Sequence, residues 1–150
     1  MTNKGVNMDN GLLAKTQVEI HTPIAQVWDA LVNPEKIKQY MFGTTVVSEW
    51  EEGSPIVWQG TWKDKPYEDL GRILKLQPQR LLQYSHFSPL SGQPDLPENY
   101  HIVTIELSST GPGTLVRLSQ DNNANEAERK DSEQNWRTML DNLKKLLEAH

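Results

Sequence analysis

Two of the four histidines occur where imidazole chemistry is expected. His21 ends a predicted strand and His150 ends the sequence, so neither indicates a site. His86 and His101 lie on consecutive predicted strands, an arrangement that would bring them near each other. Neutral imidazoles facing a cavity can orient the polar group of a ligand or act as acid and base near neutral pH. The alternative is that each ring is merely hydrogen-bonded to backbone or water, as most buried polar groups are.

Other patterns that could support metal binding or catalysis are weak. Segment 121–125 resembles the start of a calcium loop, but Glu126 and Ser132 stand where such a loop needs glycine and glutamate. Its Asx residues are expected to form a cap or a turn before a helix. Glu68 and Asp69 are adjacent, so alternation would point them to opposite faces of a strand. The chain has no cysteine, and we expect no metal site, no cofactor and no catalytic residue from these patterns.

The composition predicts a single globular domain. The chain has 150 residues, of which 36% are hydrophobic, and that length is usual for one domain. A net charge of −5 argues against nucleic acid as the main partner. We find neither a membrane-spanning run nor a signal peptide, and we expect a cytoplasmic protein. Residues 1–12 are predicted to be a disordered lead, and residues 13–150 to be the domain.

Periodicity predicts short strands around two short helices. Thr22 is the expected N-cap of the first helix, with Pro23 at its first position, and Asn33 caps the second. Alternation and turn residues place strands at 14–21, 44–50, 56–62, 67–76, 81–87, 100–107 and 114–120. Short consecutive strands with tight turns are typical of an antiparallel meander.

The C-terminal segment is the clearest helix. It carries one continuous apolar stripe, formed by Trp136, Met139, Leu140, Leu143, Leu146 and Leu147. Burial of so much apolar surface requires this helix to dock on the sheet. In the sheet, Tyr84 and His86 share one face of their strand, and His101 and Val103 share one face of the next. We therefore expect the helix to lie across the concave face of the sheet, above aliphatic groups and two imidazoles.

Four stretches in this order resemble a known superfamily. They are residues 18–35 (VEIHTPIAQVWDALVNPE), residues 71–74 with Pro78, Arg80 and Leu82, residues 113–118 (GTLVRL), and residues 136–147. Together they resemble the helix-grip superfamily, also called START-like or birch-pollen-allergen-like. More narrowly, the chain is similar to the family named for the activator of the heat-shock protein 90 ATPase, through that protein's C-terminal domain.

The resemblance implies an α+β helix-grip fold. An antiparallel curved sheet of about six or seven strands would wrap around a long C-terminal helix, with two short helices after the first strand. Members of the superfamily bind lipids, sterols or other apolar molecules, and a few are cyclases. His86 departs from the family pattern, which usually has tryptophan there, so the cavity would be more polar at that point.

Our first hypothesis is a domain that binds an apolar small molecule or lipid in an internal cavity. The residues expected to line the cavity are Trp58, Tyr84, His86, His101, Trp136, Met139 and Leu140. A second hypothesis is a protein-interaction module of the chaperone-activator type, with a chaperone as partner. A third is a cyclase- or hydrolase-like enzyme that uses His86, His101 and Tyr84.

Overall fold

The computed structural model describes residues 12–149, apart from the side chain of Trp62. The elements, in chain order, are β1 (Leu12–Ile20), α1 (Ile24–Val32), α2 (Pro34–Tyr40), β2 (Thr45–Ser48), β3 (Pro55–Trp62), β4 (Lys65–Gln77), β5 (Leu81–Phe87), β6 (His101–Thr110), β7 (Gly113–Asn123) and α3 (Glu126–Glu148). Two single 3-10 turns, Pro89–Ser91 and Pro97–Asn99, lie between β5 and β6. The predicted lead lies outside the described residues, except for Leu12, which already belongs to β1.

The seven strands form one curved antiparallel sheet in the order β1-β7-β6-β5-β4-β3-β2. Consecutive strands from β2 to β7 are neighbours, and β1 closes the sheet against β7. The ladder between β4 and β5 shifts register between Ile73 and Lys75. Such a bulge bends its strand and increases the local twist, which helps the sheet to curve around α3. The predicted helix-grip architecture is confirmed.

The helix α3 packs its apolar stripe on the concave inner face of the sheet. Met139, Leu140, Leu143 and Leu147 are buried there, in a core shared with all seven strands and with α1 and α2. Its far end is tied to β1, because Lys144 donates a hydrogen bond to the carbonyl oxygen of Glu19 at 2.8 Å. The helix begins ten residues before the predicted stripe. Its first turns, from Glu126 onward, are polar and lie outside the buried core.

The helix caps follow the sequence with one exception. Asn33 accepts a hydrogen bond from the backbone N–H of Glu35, as its predicted capping role requires. Asn125 caps α3 in the same way through the N–H of Glu128. Thr22 does not cap α1: the N-cap is Pro23, without a side-chain bond. Thr22 is instead buried, and its hydroxyl donates to the carbonyl oxygen of Leu147 at 3.4 Å.

Within the part of the chain that the structure describes, no helix combines the length and the apolar character needed to cross a membrane.

Candidate functional site

Three polar side chains, those of Asp69, His86 and His101, lie in a row across the inner face of the sheet. We call them the polar row. Strand register places Trp58 opposite Asp69, and it places His86 opposite both Gly71 and His101. All these positions share the inward parity of the buried residue Ile73. The two predicted histidines are therefore direct cross-strand neighbours, as their order in the meander predicted.

His86 is paired with an aspartate that the sequence did not single out. Its Nε2 lies 2.9 Å from Oδ2 of Asp69, and the two side chains are 27% and 16% exposed. Because the carboxylate accepts, Nε2 carries the donated proton, and Nδ1 of the neutral ring keeps a lone pair. The other carboxylate oxygen, Oδ1, is buried and accepts no hydrogen bond from a described residue.

In the sequence, Asp69 stands beside Glu68, and an adjacent pair of acids does not indicate a site because alternation separates their side chains. A signal for it was present: Asp69, Gly71 and Ile73 alternate toward the face that β5 also turns inward. The expected opposite orientation of the two acids is correct, since Glu68 accepts a hydrogen bond from Gln59 at an exposed position. The side chain that pairs with Asp69 is therefore not its neighbour Glu68 but His86, seventeen residues away along the chain.

His101 is fixed by the backbone instead. Its Nδ1 lies 2.9 Å from the carbonyl oxygen of Asp121, which can only accept, so this nitrogen donates. The lone pair of the neutral ring is then on Nε2. In their neutral forms, His86 and His101 each use one nitrogen for a protein contact and have the other as an acceptor.

The rings of Trp58, Tyr84 and His86 form an aromatic cluster that connects the polar row to the core. The Trp58 ring lies 5.1 Å from the Tyr84 ring and 4.9 Å from the His86 ring, with an edge contact to the latter. Burial raises the pKa of Tyr84 far above its usual range, so its phenol stays protonated. Gly71 makes this packing possible: a Cβ there would lie 1.9 Å from the carbonyl oxygen of Ser85 and 3.1 Å from the Trp58 ring.

The three predicted residues of α3 are distributed along the helix. Trp136 is half-buried, and its indole N–H donates to Oε1 of Gln120 on β7 at 2.6 Å. Met139 and Leu140 are buried in the core one turn later. Trp136 therefore contacts the β7 side of the sheet rather than the aromatic cluster. No sequence pattern singles out Gln120, although register places it opposite Val103, two residues from His101 on the same inward face.

The space between α3 and the sheet is almost filled. A remnant of about 20 Å³ remains there, and Trp58, Tyr84 and Met139 are the predicted residues that line it. A volume of this size accommodates one water molecule, whereas ligand pockets usually measure about 300–1,000 Å³. A ligand can enter this site only if the surrounding side chains or elements move apart.

A ligand-sized groove lies on the opposite face of the same sheet. It measures about 830 Å³, and its floor consists of outward side chains of β3, β4 and β6, among them Val57, Leu70, Leu74 and Ile102. The segment 88–100, which holds the two 3-10 turns, forms one rim. We call this feature the outer groove. Periodicity does not predict this groove, because alternation assigns its floor residues to solvent.

Among residues 12–149, no three His, Cys, Asp or Glu side chains are arranged to hold a metal ion. Side chains of segment 121–125, which resembles a calcium loop, form hydrogen bonds within the protein. Asp121 accepts from the backbone N–H of Ile102 at 2.6 Å, and Asn122 donates to the carbonyl oxygen of Tyr100.

Comparisons with solved structures agree with this architecture. A protein named ChR145 from Cytophaga hutchinsonii has 60% sequence identity and a TM-score of 0.84, covering 95% of this chain and 97% of that one. The Aha1 dimer from Colwellia psychrerythraea has 17% identity and a TM-score of 0.72, over 91% of this chain and 96% of the other. Ara h 8.0201 has 12% identity and a TM-score of 0.73, over 93% and 99%. The last two likenesses concern the fold alone.

A search among curated proteins finds no match. Residues 21–148, however, match the family described as Activator of Hsp90 ATPase homolog 1-like protein. That match covers most of the chain, including every residue of the polar row and of the aromatic cluster. The chain therefore belongs to the Activator of Hsp90 ATPase homolog 1-like family.

Proposed function

We propose that this protein binds an apolar small molecule or lipid between α3 and the inner face of the sheet. The site would consist of the seven predicted residues Trp58, Tyr84, His86, His101, Trp136, Met139 and Leu140, with Asp69 in addition. The observation that carries the proposal is the buried, unpartnered Oδ1 of Asp69 at the edge of an otherwise apolar wall. An unsatisfied buried acceptor costs about 1–3 kcal/mol, and a donor on a ligand would remove that cost.

The side chains around the remnant suit an interior that opens. Met41 and Met139 both line it, and methionine adapts its shape more readily than branched residues do. The remnant is also bordered by residues of α2 and β2, which form the narrow edge of the grip. Separation of this edge from α3 would enlarge the space beside Trp58 without unfolding the sheet.

The polar row also determines the chemistry of the ligand's head. Asp69 Oδ1, His86 Nδ1 and His101 Nε2 are all acceptors when the rings are neutral. A hydroxyl group, which donates, matches them, whereas a carboxylate would meet Asp69 with like charge. We therefore expect a fatty alcohol or another hydroxylated apolar molecule to bind more tightly than the corresponding acid.

A matched pair of probes tests this proposal: 1-decanol and its methyl ether, 1-methoxydecane. Binding is followed by native mass spectrometry and by NMR signals of the Trp58 indole and the Met139 methyl. We expect saturable uptake of decanol, with about tenfold weaker binding of the ether because a hydrogen bond to a charged group is lost. Folded protein that takes up neither probe and shows no change at Trp58 refutes the proposal.

An Asp69→Asn variant sharpens the test, with Asp131→Asn on the exposed face of α3 as a control for charge. Asp69→Asn should weaken decanol binding and leave ether binding unchanged, while Asp131→Asn should change neither. Equal effects of both substitutions would assign the change to net charge rather than to the inner site.

A second candidate function is a protein-interaction module of the chaperone-activator type, and the family match favours it. Pull-down with the host's heat-shock protein 90 and an ATPase assay would test it. An unchanged ATPase rate at saturating binding would exclude the hypothesis that this protein activates the chaperone. Location in the cytoplasm stays a prediction from the sequence.

A further inference from the structure

The outer groove combines an apolar floor with an acidic rim. Asp95 and Glu98 belong to the rim segment 88–100, and Asp121 extends from the end of β7. None of the three carboxylates forms an ion pair with another described residue. Tyr100 lies between them on the same rim, and its ring stacks on Phe87 at 5.2 Å.

Two of the three rim carboxylates, those of Asp95 and Asp121, are held in place by neutral donors. The Tyr100 hydroxyl donates to Oδ1 of Asp95 at 2.7 Å, and this hydrogen bond is the main cause that raises the pKa of Tyr100. The backbone N–H of Ile102 donates to Oδ1 of Asp121. The rim segment is itself anchored, because the side-chain amide of Asn122 donates to the carbonyl oxygen of Glu98 at 2.8 Å. Negative charge is thus fixed along one side of a preformed apolar groove.

One cation, Arg72, also lines the groove, and it lies near enough to Tyr100 to lower the pKa of that phenol against the larger effect of Asp95. Its Nη1 donates to the carbonyl oxygen of Gly53 at 2.6 Å, on the side of the turn between β2 and β3. It makes no ion pair with Asp95, Glu98 or Asp121 within the described chain. The charged lining therefore amounts to three carboxylates and one guanidinium, a formal net charge of −2.

We propose that the outer groove is a second binding site, which takes a small amphipathic cation: an ammonium group attached to an aromatic or aliphatic body. The volume of about 830 Å³ is within the range of small-molecule pockets. The apolar body packs on Val57, Leu70, Leu74 and Ile102, while the ammonium lies at the rim beside Glu98 and Asp95. The Tyr100 ring adds a favourable aromatic surface for a cation. This site is independent of the inner site, since the two lie on opposite faces of the sheet.

Three probes with the same body test the charge: 4-phenylbutylamine, 4-phenylbutanol and 4-phenylbutanoate. Binding is measured by NMR titration of the whole protein, following the methyl signals of Val57, Leu74 and Ile102. We expect the amine to bind roughly three- to tenfold more tightly than the alcohol, and the butanoate most weakly. Equal affinity for amine and alcohol, tighter binding of the butanoate, or no binding of any probe overturns the proposal.

Single substitutions test the location. Glu98→Gln should weaken amine binding about two- to fivefold and leave alcohol binding unchanged. Glu49→Gln, at an exposed position outside the groove, makes the same charge change and should have no effect. Arg72→Gln should strengthen amine binding about twofold, because a like charge is removed. Equal effects of Glu98→Gln and Glu49→Gln, or shifts confined to Met139 and Leu140, contradict a site in the groove.

Discussion

The inner and outer faces of β3 to β6 are built from alternate residues of the same strands, yet the inner face is buried and the outer face lines an open groove. Trp58, Ile73 and Val103 face inward and are buried under α3, where about 20 Å³ remains open. Val57 and Ile102, their neighbours in sequence, face a groove of about 830 Å³. The difference arises from what covers each face: a 23-residue helix with an apolar stripe on one side, and a loop with two short turns on the other.

This comparison shows that an apolar wall alone does not make a cavity. The inner face is more apolar than the outer face, but its partner helix supplies side chains large enough to fill it. The outer face is covered only in part, where Tyr100 stacks on Phe87, so a concave space remains beside that contact. Ligand binding at the inner site would therefore require movement, whereas the outer groove is preformed.

The largest expected effect is a difference in stability between the two faces. Leu140→Ala, at a position that is 0% exposed, should lower the free energy of unfolding by about 2–5 kcal/mol, because it leaves a cavity in the packed core. Leu74→Ala, at 39% exposure in the groove, should cost less than about 1 kcal/mol. Urea denaturation of both variants measures the difference. Similar losses at the two positions would mean that the faces are equally packed.

Substitution of Gly71 on β4 should lower the free energy of unfolding nearly as much as a substitution in the core. Gly71→Ala places a Cβ against the carbonyl oxygen of Ser85, and backbone cannot yield as a flexible side chain can. We expect a loss of about 1–3 kcal/mol in unfolding free energy. Shifts in the NMR spectrum should appear at Trp58 and His86 together. A neutral effect on stability would show that β4 and β5 are less closely paired than described.

Trp136→Phe tests the β7 side of the inner face. It removes the donor to Oε1 of Gln120, and an acceptor that loses its partner at a buried position costs about 1–3 kcal/mol. Trp28→Phe is the comparison, since Trp28 packs against the same core as a partly buried residue. The Trp136 variant should be less stable in urea than the Trp28 variant. The reverse order would show that packing, not this hydrogen bond, stabilises the helix.

The smallest effect concerns acid sensitivity at the far end of α3. The backbone N–H of His21 and the ammonium of Lys144 hold the pKa of Glu148 below its ordinary value of 4.5. Stability from this carboxylate is present above that value and is lost as the pH falls through the lowered pKa. Glu148→Gln should therefore be less stable than the parent at pH 7 and equally stable in strong acid. A difference that persists at pH 2 would contradict this linkage.

The sequence was sufficient for the fold and for the inward orientation of several residues of the inner face. Alternation at 81–87 and 100–107 gave the inward face of Tyr84, His86 and His101, and the stripe from Trp136 gave the docking face of α3. The pairing of His86 with Asp69 was not found, because it depends on the register between β4 and β5. The filled interior was not found either, because the remaining volume depends on rotamers. The outer groove depends on where the segment 88–100 folds, which no periodicity indicates.

The most direct test of the central claim is the position of a bound apolar probe relative to the two faces. A fatty alcohol with a nitroxide near its methyl end is added to methyl-labelled protein, and paramagnetic loss of intensity is measured for each methyl signal. Binding at the inner site predicts greater loss at Met139 and Leu82 than at Val57 and Leu74. Greater loss at Val57 and Leu74, or no loss at any of these methyls, would contradict the account.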